Sequence, residues 1–218
     1  MNLSSDVLTL LIKIGVSFEV IAAIFSSIFY SKYKNIAVLK YFTFLLWYIV
    51  VNELIGLYIR LYSEYSSAII HNIYNLVNFT YIHILLKSYL KNKKNKKIVI
   101  SFLLLYWIIL FINAFNENYL IDFQRAPYII GALGVVIGIL LYFREVLNSE
   151  EVLNVKRNLI FWVCVGFLLY FSGNIPFRIL RNYYEFLIEA TLMTLVNLIL
   201  GITMYLSFII GFIWSHKK

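Results

Sequence analysis

Seven long apolar stretches follow one another along the chain, separated by short polar segments that carry most of its charge. A helix needs about 20 residues to cross the hydrocarbon core of a bilayer, and each stretch approaches or exceeds that length. Only 14% of the residues are charged and 62% are hydrophobic, whereas about a quarter of the residues of a soluble domain are charged. The sequence therefore predicts an all-α integral membrane protein with seven transmembrane helices.

These spans form a single predicted membrane domain over residues 1–218, without a soluble domain. Their approximate bounds are 7–30, 41–62, 68–90, 98–115, 128–143, 158–180 and 186–213. Loops 31–40, 91–97 and 144–157 and the tail 217–218 hold 3, 5, 3 and 2 lysines or arginines. Because cytoplasmic loops are enriched in Lys and Arg, we expect the N-terminus outside and the C-terminus in the cytoplasm.

The third span carries an unusual number of polar side chains for a membrane helix. They are His71, Asn72, Asn75, Asn78 and His83. At about 100° per residue these five positions fall within an arc of about 140°. Lipid cannot hydrogen-bond such groups, so we expect this polar stripe to face other helices or trapped water.

Other polar residues fall at similar depths in the neighbouring spans. They are Glu19, Asn52, Glu53, Asn174, Arg178 and Asn197. A charged side chain such as Glu53 in the middle of a span costs about 2.5 to 3.5 kcal/mol on insertion scales. Together with His71, Asn72, Asn75 and Asn78, this set predicts a polar cavity that opens to the outside and closes near Glu53. The alternative is a set of polar contacts that only hold helices together.

Glycines form a second pattern, in the fifth span. Gly131, Gly134 and Gly138 lie on one helix face, and a stripe of small residues lets two helix backbones approach closely. The partner helix is expected within the same chain, with a homodimer contact as the alternative. The motif Tyr48, Asn52 and Asn75 recurs 122 residues later as Tyr170, Asn174 and Asn197. A parallel three-plus-one-plus-three arrangement, with span four as the linker, would produce this repeat.

The sequence lacks the usual signatures of an enzyme or a cofactor-binding protein. It has no HExxH, GxSxG or P-loop motif, and its single cysteine, Cys164, lies in an apolar run. We therefore expect no catalytic residues, no metal site and no cofactor. The net charge of +8 comes from loops beside apolar spans, which indicates topology signals and contacts with anionic lipid rather than nucleic acid.

Two functional hypotheses make use of the cavity, and in a third the protein is a structural membrane subunit whose polar groups only hold helices together. The first is a multi-pass sensor or accessory subunit that binds a small ligand or ion in the cavity and signals to a partner. The second is an ion channel, transporter or pore-forming effector that uses Glu53 and the third-span stripe. Either protein is expected in the inner membrane of a bacterium, as a homo-oligomer or with a membrane protein partner. Anionic lipid is expected at Lys91, Lys93, Lys94, Lys96 and Lys97.

Overall fold

The fold is a set of long helices, seen in a computed structural model that describes residues 5–63, 66–180 and 190–216. Seven α-helices occur in these ranges. They are α1 (Ser5–Ile28), α2 (Phe42–Tyr62), α3 (Ala68–Tyr89), α4 (Lys93–Asn113), α5 (Arg125–Leu147), α6 (Leu159–Leu180) and α7 (Ala190–Trp214). Short 3-10 helices at Tyr30–Lys32 and Leu39–Tyr41 connect α1 to α2, and another at Glu150–Arg157 precedes α6.

The helices group into two compact units. The first unit joins the chain up to Leu46 with the chain from Lys156 onward, so it contains α1, α6, α7 and the beginning of α2. In it α7 packs along both α6 and α1. Aromatic rings fill its core, where Phe208 lies 5.3 Å from Phe42 and 5.1 Å from Phe167 between ring centroids.

The second unit runs from Trp47 to Val155 and contains the rest of α2 with α3, α4 and α5. Helices α3, α4 and α5 pack against one another. Phe79 of α3 is fully buried at their centre, with ring centroids 5.3 Å from both Tyr106 of α4 and Tyr128 of α5. Aromatic side chains therefore form the core of each unit.

The observed helices correct two predicted boundaries. The basic segment 91–97, predicted as a loop, is mostly helical because α4 already begins at Lys93, where the Asn92 side chain caps the helix by accepting from Lys94 N at 2.8 Å. Helix α5 begins at Arg125 rather than at residue 128. Pro127 is tolerated there because the backbone N–H groups of the first turn have no hydrogen-bond partner within the helix, so the missing N–H of proline breaks no helical bond.

Large apolar side chains cover the outside of the helices. On α2 they recur at helical spacing, and Phe44, Trp47, Val51 and Tyr58 are 40–64% exposed. Six described helices are long and apolar enough to cross a membrane, which indicates a multi-pass membrane protein. The exception is α3, whose 22 residues are long enough but whose polar side chains lower its hydropathy.

The seven-span count, the orientation, the single domain and the three-plus-one-plus-three repeat stay predictions. Helix α4, the proposed linker of that repeat, packs within the second unit against α3 and α5. The start of the predicted seventh span, 186–189, and the basic tail 217–218 lie outside the described residues.

Candidate functional site

The polar stripe of α3 divides into two sets that face different neighbours. At about 100° per residue, His71, Asn75 and Asn78 fall within about 60° of one another, while Asn72 and His83 lie farther round the helix. Asn72, Asn78 and His83 are buried, and His71 and Asn75 are half-buried. The contacts of each set show what it does within the second unit.

Asn72 holds the connection between α4 and α5. Its amide nitrogen donates to the carbonyls of Tyr119 and Asp122, both at 2.9 Å, and its oxygen accepts from Gln124 N at 3.2 Å. These three bonds occupy both N–H groups and the amide oxygen. Asn72 was predicted to line the cavity; its hydrogen bonds instead stabilise the connection between α4 and α5.

His83 packs α3 against α5. Its Nδ1 donates to the Phe79 carbonyl at 2.7 Å, and the ring is fully buried. A Cβ added at Gly134 would lie 2.5 Å from Nε2 of His83, so the glycine provides the space that the imidazole occupies. This histidine is part of the helix packing rather than of an open site.

In the other set, His71 lies beside α2. A Cβ added at Gly56 of α2 would lie 3.5 Å from Nε2 of His71, which places these two residues side by side. The same His71 ring lies 5.5 Å from the Phe123 ring. Farther along α3, the buried Asn78 side chain donates to Tyr74 Oη at 3.3 Å. The sequence alone gave no reason to single out Gly56, because its importance depends on which residue of α3 it meets.

The Gly56–His71 contact also sets the depth of Asn52 and Glu53. Because a short connection between consecutive helices favours antiparallel neighbours, we infer that a step of three to four residues along α2 and along α3 covers the same distance. Asn52 and Glu53 of α2 therefore lie at the level of Asn75. We call Asn52, Glu53, His71 and Asn75 the α2–α3 polar face; all four residues are half-buried.

The polar face retains hydrogen-bonding capacity. Asn52 donates one N–H to the Tyr48 carbonyl at 2.7 Å. The Asn75 amide makes no hydrogen bond to any described residue, which leaves two N–H donors and an oxygen acceptor. Arg60, two turns along α2, is the charged side chain that acts on Glu53. The face thus combines one carboxylate, two amides and one imidazole.

The remaining predicted cavity residues belong to the first unit. Asn174 is buried and donates to the Tyr170 carbonyl of its own helix at 3.2 Å, the same local bond that Asn52 makes with Tyr48. Glu19 and Arg178 are half-buried, and Asn197 is exposed. The ten predicted residues therefore divide between the two units instead of forming one cluster within either of them.

The glycine stripe of α5 receives side chains from α3 and α4. A Cβ at Gly131 would lie 2.9 Å from the Phe79 ring, and one at Gly138 would lie 2.9 Å from Leu86 and 3.2 Å from Val99. Together with the Gly134–His83 contact, these distances show that side chains of this same chain pack against the glycine stripe along its length.

Neither a metal cluster nor a known relative helps to assign the site. Among the described residues, no group of three or more His, Cys, Asp or Glu could hold a metal ion. No protein-family model, curated protein or solved structure matches the chain.

Proposed function

We propose that the chain is a multi-pass membrane sensor or accessory subunit without enzymatic activity, in which the α2–α3 polar face binds a small polar ligand or cation. The observation that carries the proposal is the Gly56–His71 contact, from which the helical rise puts Glu53, Asn52 and Asn75 at one depth. With the predicted orientation, the ligand enters from outside, and the protein resides in the inner membrane of a bacterium.

The chemistry of the face favours a ligand over helix packing alone. Hydrogen bonds between helices in a membrane contribute only about 0.6 kcal/mol each, whereas placing a carboxylate in a span costs about 2.5 to 3.5 kcal/mol. Arg60, two turns away on α2, offsets part of that cost, but the burial of Glu53 outweighs it, so Glu53 needs a further favourable partner. A bound cation or ligand amine would supply the missing interaction, with oxygen atoms from Asn52 and Asn75 as further contacts.

The packing of α2 suggests how ligand binding changes the interface with a partner protein. Helix α2 meets α3 at Gly56 and His71, while α3, α4 and α5 pack along one another. A ligand bound between Glu53 of α2 and Asn75 of α3 would draw the two helices together. Helix shifts of about 1–2 Å are a common way to change a subunit interface.

Ligand binding can be tested by thermal unfolding of the purified protein in detergent, with mono- and divalent cations and small amines as probes. We expect at least one probe to raise the unfolding temperature of the wild type. Because a hydrogen bond to a charged group contributes about 1.5–3 kcal/mol, Glu53→Gln should weaken that binding about tenfold or more.

Two controls separate binding from general effects of the substitution. Glu150→Gln removes an exposed carboxylate outside the spans, and Asn116→Ala truncates an exposed amide in the α4–α5 connection. The probe should raise the unfolding temperature of both control variants as much as that of the wild type. It should raise the unfolding temperature of Asn75→Ala by less. If Glu53→Gln and Glu150→Gln bind equally well, the polar face is not the site.

A channel or transporter is the second candidate function, favoured by the carboxylate of Glu53 within a span. It predicts ion flux from liposomes that contain the purified protein, and a changed flux in Glu53→Gln at an unchanged unfolding temperature. Flux that is the same in both proteins would remove Glu53 from the conduction path. Saturable binding without flux at any voltage would favour the sensor.

A further inference from the structure

A small basic cleft lies in the first unit, whereas the α2–α3 polar face belongs to the second unit. Its polar lining comes from Lys32, Tyr33, Arg157, Asn158, Ser215 and His216. It holds about 240 Å³ of empty space, part of it open to the surroundings. The enclosed part of the cleft has a volume of only about 10 Å³, about the space of one water molecule, so a ligand group of a few atoms would sit at its open mouth.

Lys32 places a positive charge in the wall of the cleft. Its ammonium donates to the carbonyls of Phe212 and Ile213 at 2.8 and 2.9 Å, in the last turn of α7, and lies 4.4 Å from the centroid of the Phe29 ring. An ammonium has three N–H donors, so one remains for a ligand. Loss of hydration on burial lowers the pKa of Lys32, a cost that a bound anion would offset.

The other side chains of the cleft also suit an anion. Arg157 and His216 are exposed at its rim, and the backbone N–H of His216 donates to the Arg157 carbonyl at 3.3 Å, which joins the end of α7 to the start of α6. No acidic side chain is among the described residues of the lining. Burial raises the pKa of Tyr33 to about 12, so its phenol stays neutral and does not repel an anion.

The position of the cleft along the helices indicates where the anion comes from. Its residues lie just beyond the ends of α1 and α7 and just before the starts of α2 and α6. Beside it, the Trp162 and Trp214 rings meet edge to face at 5.5 Å, and Trp162 Nε1 donates to the Lys156 carbonyl at 2.9 Å. Tryptophan at helix ends is typical of the level of the lipid headgroups.

We propose that this cleft binds the phosphate group of an anionic phospholipid, held by Lys32, Arg157 and His216 at the membrane surface. The charges of the cleft recognise phosphate, and the tryptophans and helix ends place that phosphate on a lipid. The site is separate from the basic segment 91–97, which belongs to the second unit. Two more lysines, Lys217 and Lys218, follow His216 in the sequence.

The test is the thermal unfolding of the full chain in neutral detergent, titrated with phosphatidylglycerol, with phosphatidylcholine or with inorganic phosphate. We expect phosphatidylglycerol to raise the unfolding temperature and phosphatidylcholine to have little effect. Arg157→Gln should need about fivefold more phosphatidylglycerol for the same rise, as expected for one basic residue at an anionic surface. An equal rise with inorganic phosphate at matched concentration would overturn the assignment to a lipid.

Lys156→Gln is the matched control, because Lys156 is the exposed neighbour of Arg157 and its side chain does not line the cleft. This variant should bind phosphatidylglycerol like the wild type. Equal losses in Lys156→Gln and Arg157→Gln would show only general attraction between charges and would overturn the site. If Arg157→Gln does not fold, His216→Gln and Arg157→Lys serve instead, with weaker binding expected in the first and retained binding in the second.

Discussion

Gly134 is the residue that sets how closely α5 approaches α3. The glycine lies against His83, and a Cβ there would be 2.5 Å from the imidazole and 2.8 Å from Cβ of Phe102 on α4. Both distances are shorter than any ordinary contact between heavy atoms, and both neighbours belong to packed helices. The close packing of α3, α4 and α5 therefore requires a residue without a Cβ at position 134.

Gly134→Ala should lower the free energy of unfolding by about 1–3 kcal/mol, the usual cost of adding atoms to a well-packed core. The measurement is thermal or chemical unfolding of the purified protein in detergent. The larger Gly134→Leu should prevent α3, α4 and α5 from packing as they do.

Gly201→Ala is the control for this prediction. No atom outside its own helix turn lies within 4 Å of a Cβ added at Gly201 in α7. Because alanine is favoured over glycine in a helix by about 0.5–1 kcal/mol, this variant should be as stable as the wild type or more stable. Equal destabilisation by both substitutions would mean that helix flexibility, and not the His83 contact, matters at Gly134.

The connection between α3 and α4 depends on one acidic residue of α5. Glu145 accepts from Lys91 N at 2.6 Å, from Asn92 N at 3.2 Å and from the Asn95 side chain at 2.6 Å. Three lysines lie in the first turn of α4 and two more, Lys91 and Lys97, adjoin it, where the helix dipole disfavours positive charge. The carboxylate offsets that charge and fixes the three-residue turn at Leu90–Asn92.

Glu145→Gln should loosen this turn and destabilise the protein by about 1–3 kcal/mol, because an amide replaces a charged acceptor of three hydrogen bonds. Hydrogen exchange should increase at Lys91–Lys97, and trypsin should cleave there more readily. Glu150→Gln, an exposed carboxylate, should change neither. Unchanged exchange at 91–97 in Glu145→Gln would contradict this role.

At the scale of the whole molecule, the main prediction concerns the number of spans. Helix α3 differs from the six strongly apolar helices, yet its length suffices, and Asn72, Asn78 and His83 each make at least one hydrogen bond within the protein. If α3 crosses the membrane, its two ends lie on opposite sides. The topology then has seven spans, with the N-terminus outside.

Cysteine labelling in intact cells tests both points. In a Cys164→Ala background, which removes the single native cysteine, we would introduce Tyr62→Cys, Lys94→Cys, Lys34→Cys and Asn116→Cys. An impermeant maleimide should label positions 62 and 116 from outside, and positions 34 and 94 only after permeabilisation. Labelling of positions 62 and 94 on the same side would show that α3 does not cross.

The sequence predicted the helices better than it predicted the site. Apolar runs of about 20 residues fix where helices occur, since lipid requires every backbone group to be satisfied within a segment. The polar stripe of α3 was visible as well, but its five residues looked equivalent. The contacts of Asn72 with the α4–α5 connection and of His83 with Gly134 separate them from His71 and Asn75.

Sequence by itself thus determined the class of this protein, its helices and its candidate polar residues, because hydropathy and helical period are properties of consecutive residues. Only the tertiary structure decided which polar groups are used for packing and which meet on the α2–α3 polar face. It also brought Lys32, Arg157 and His216 to one cleft from distant parts of the chain. The reason is physical. The strength of a hydrogen bond or of an interaction between charges depends on the distance between the groups in space, which their separation along the sequence does not specify.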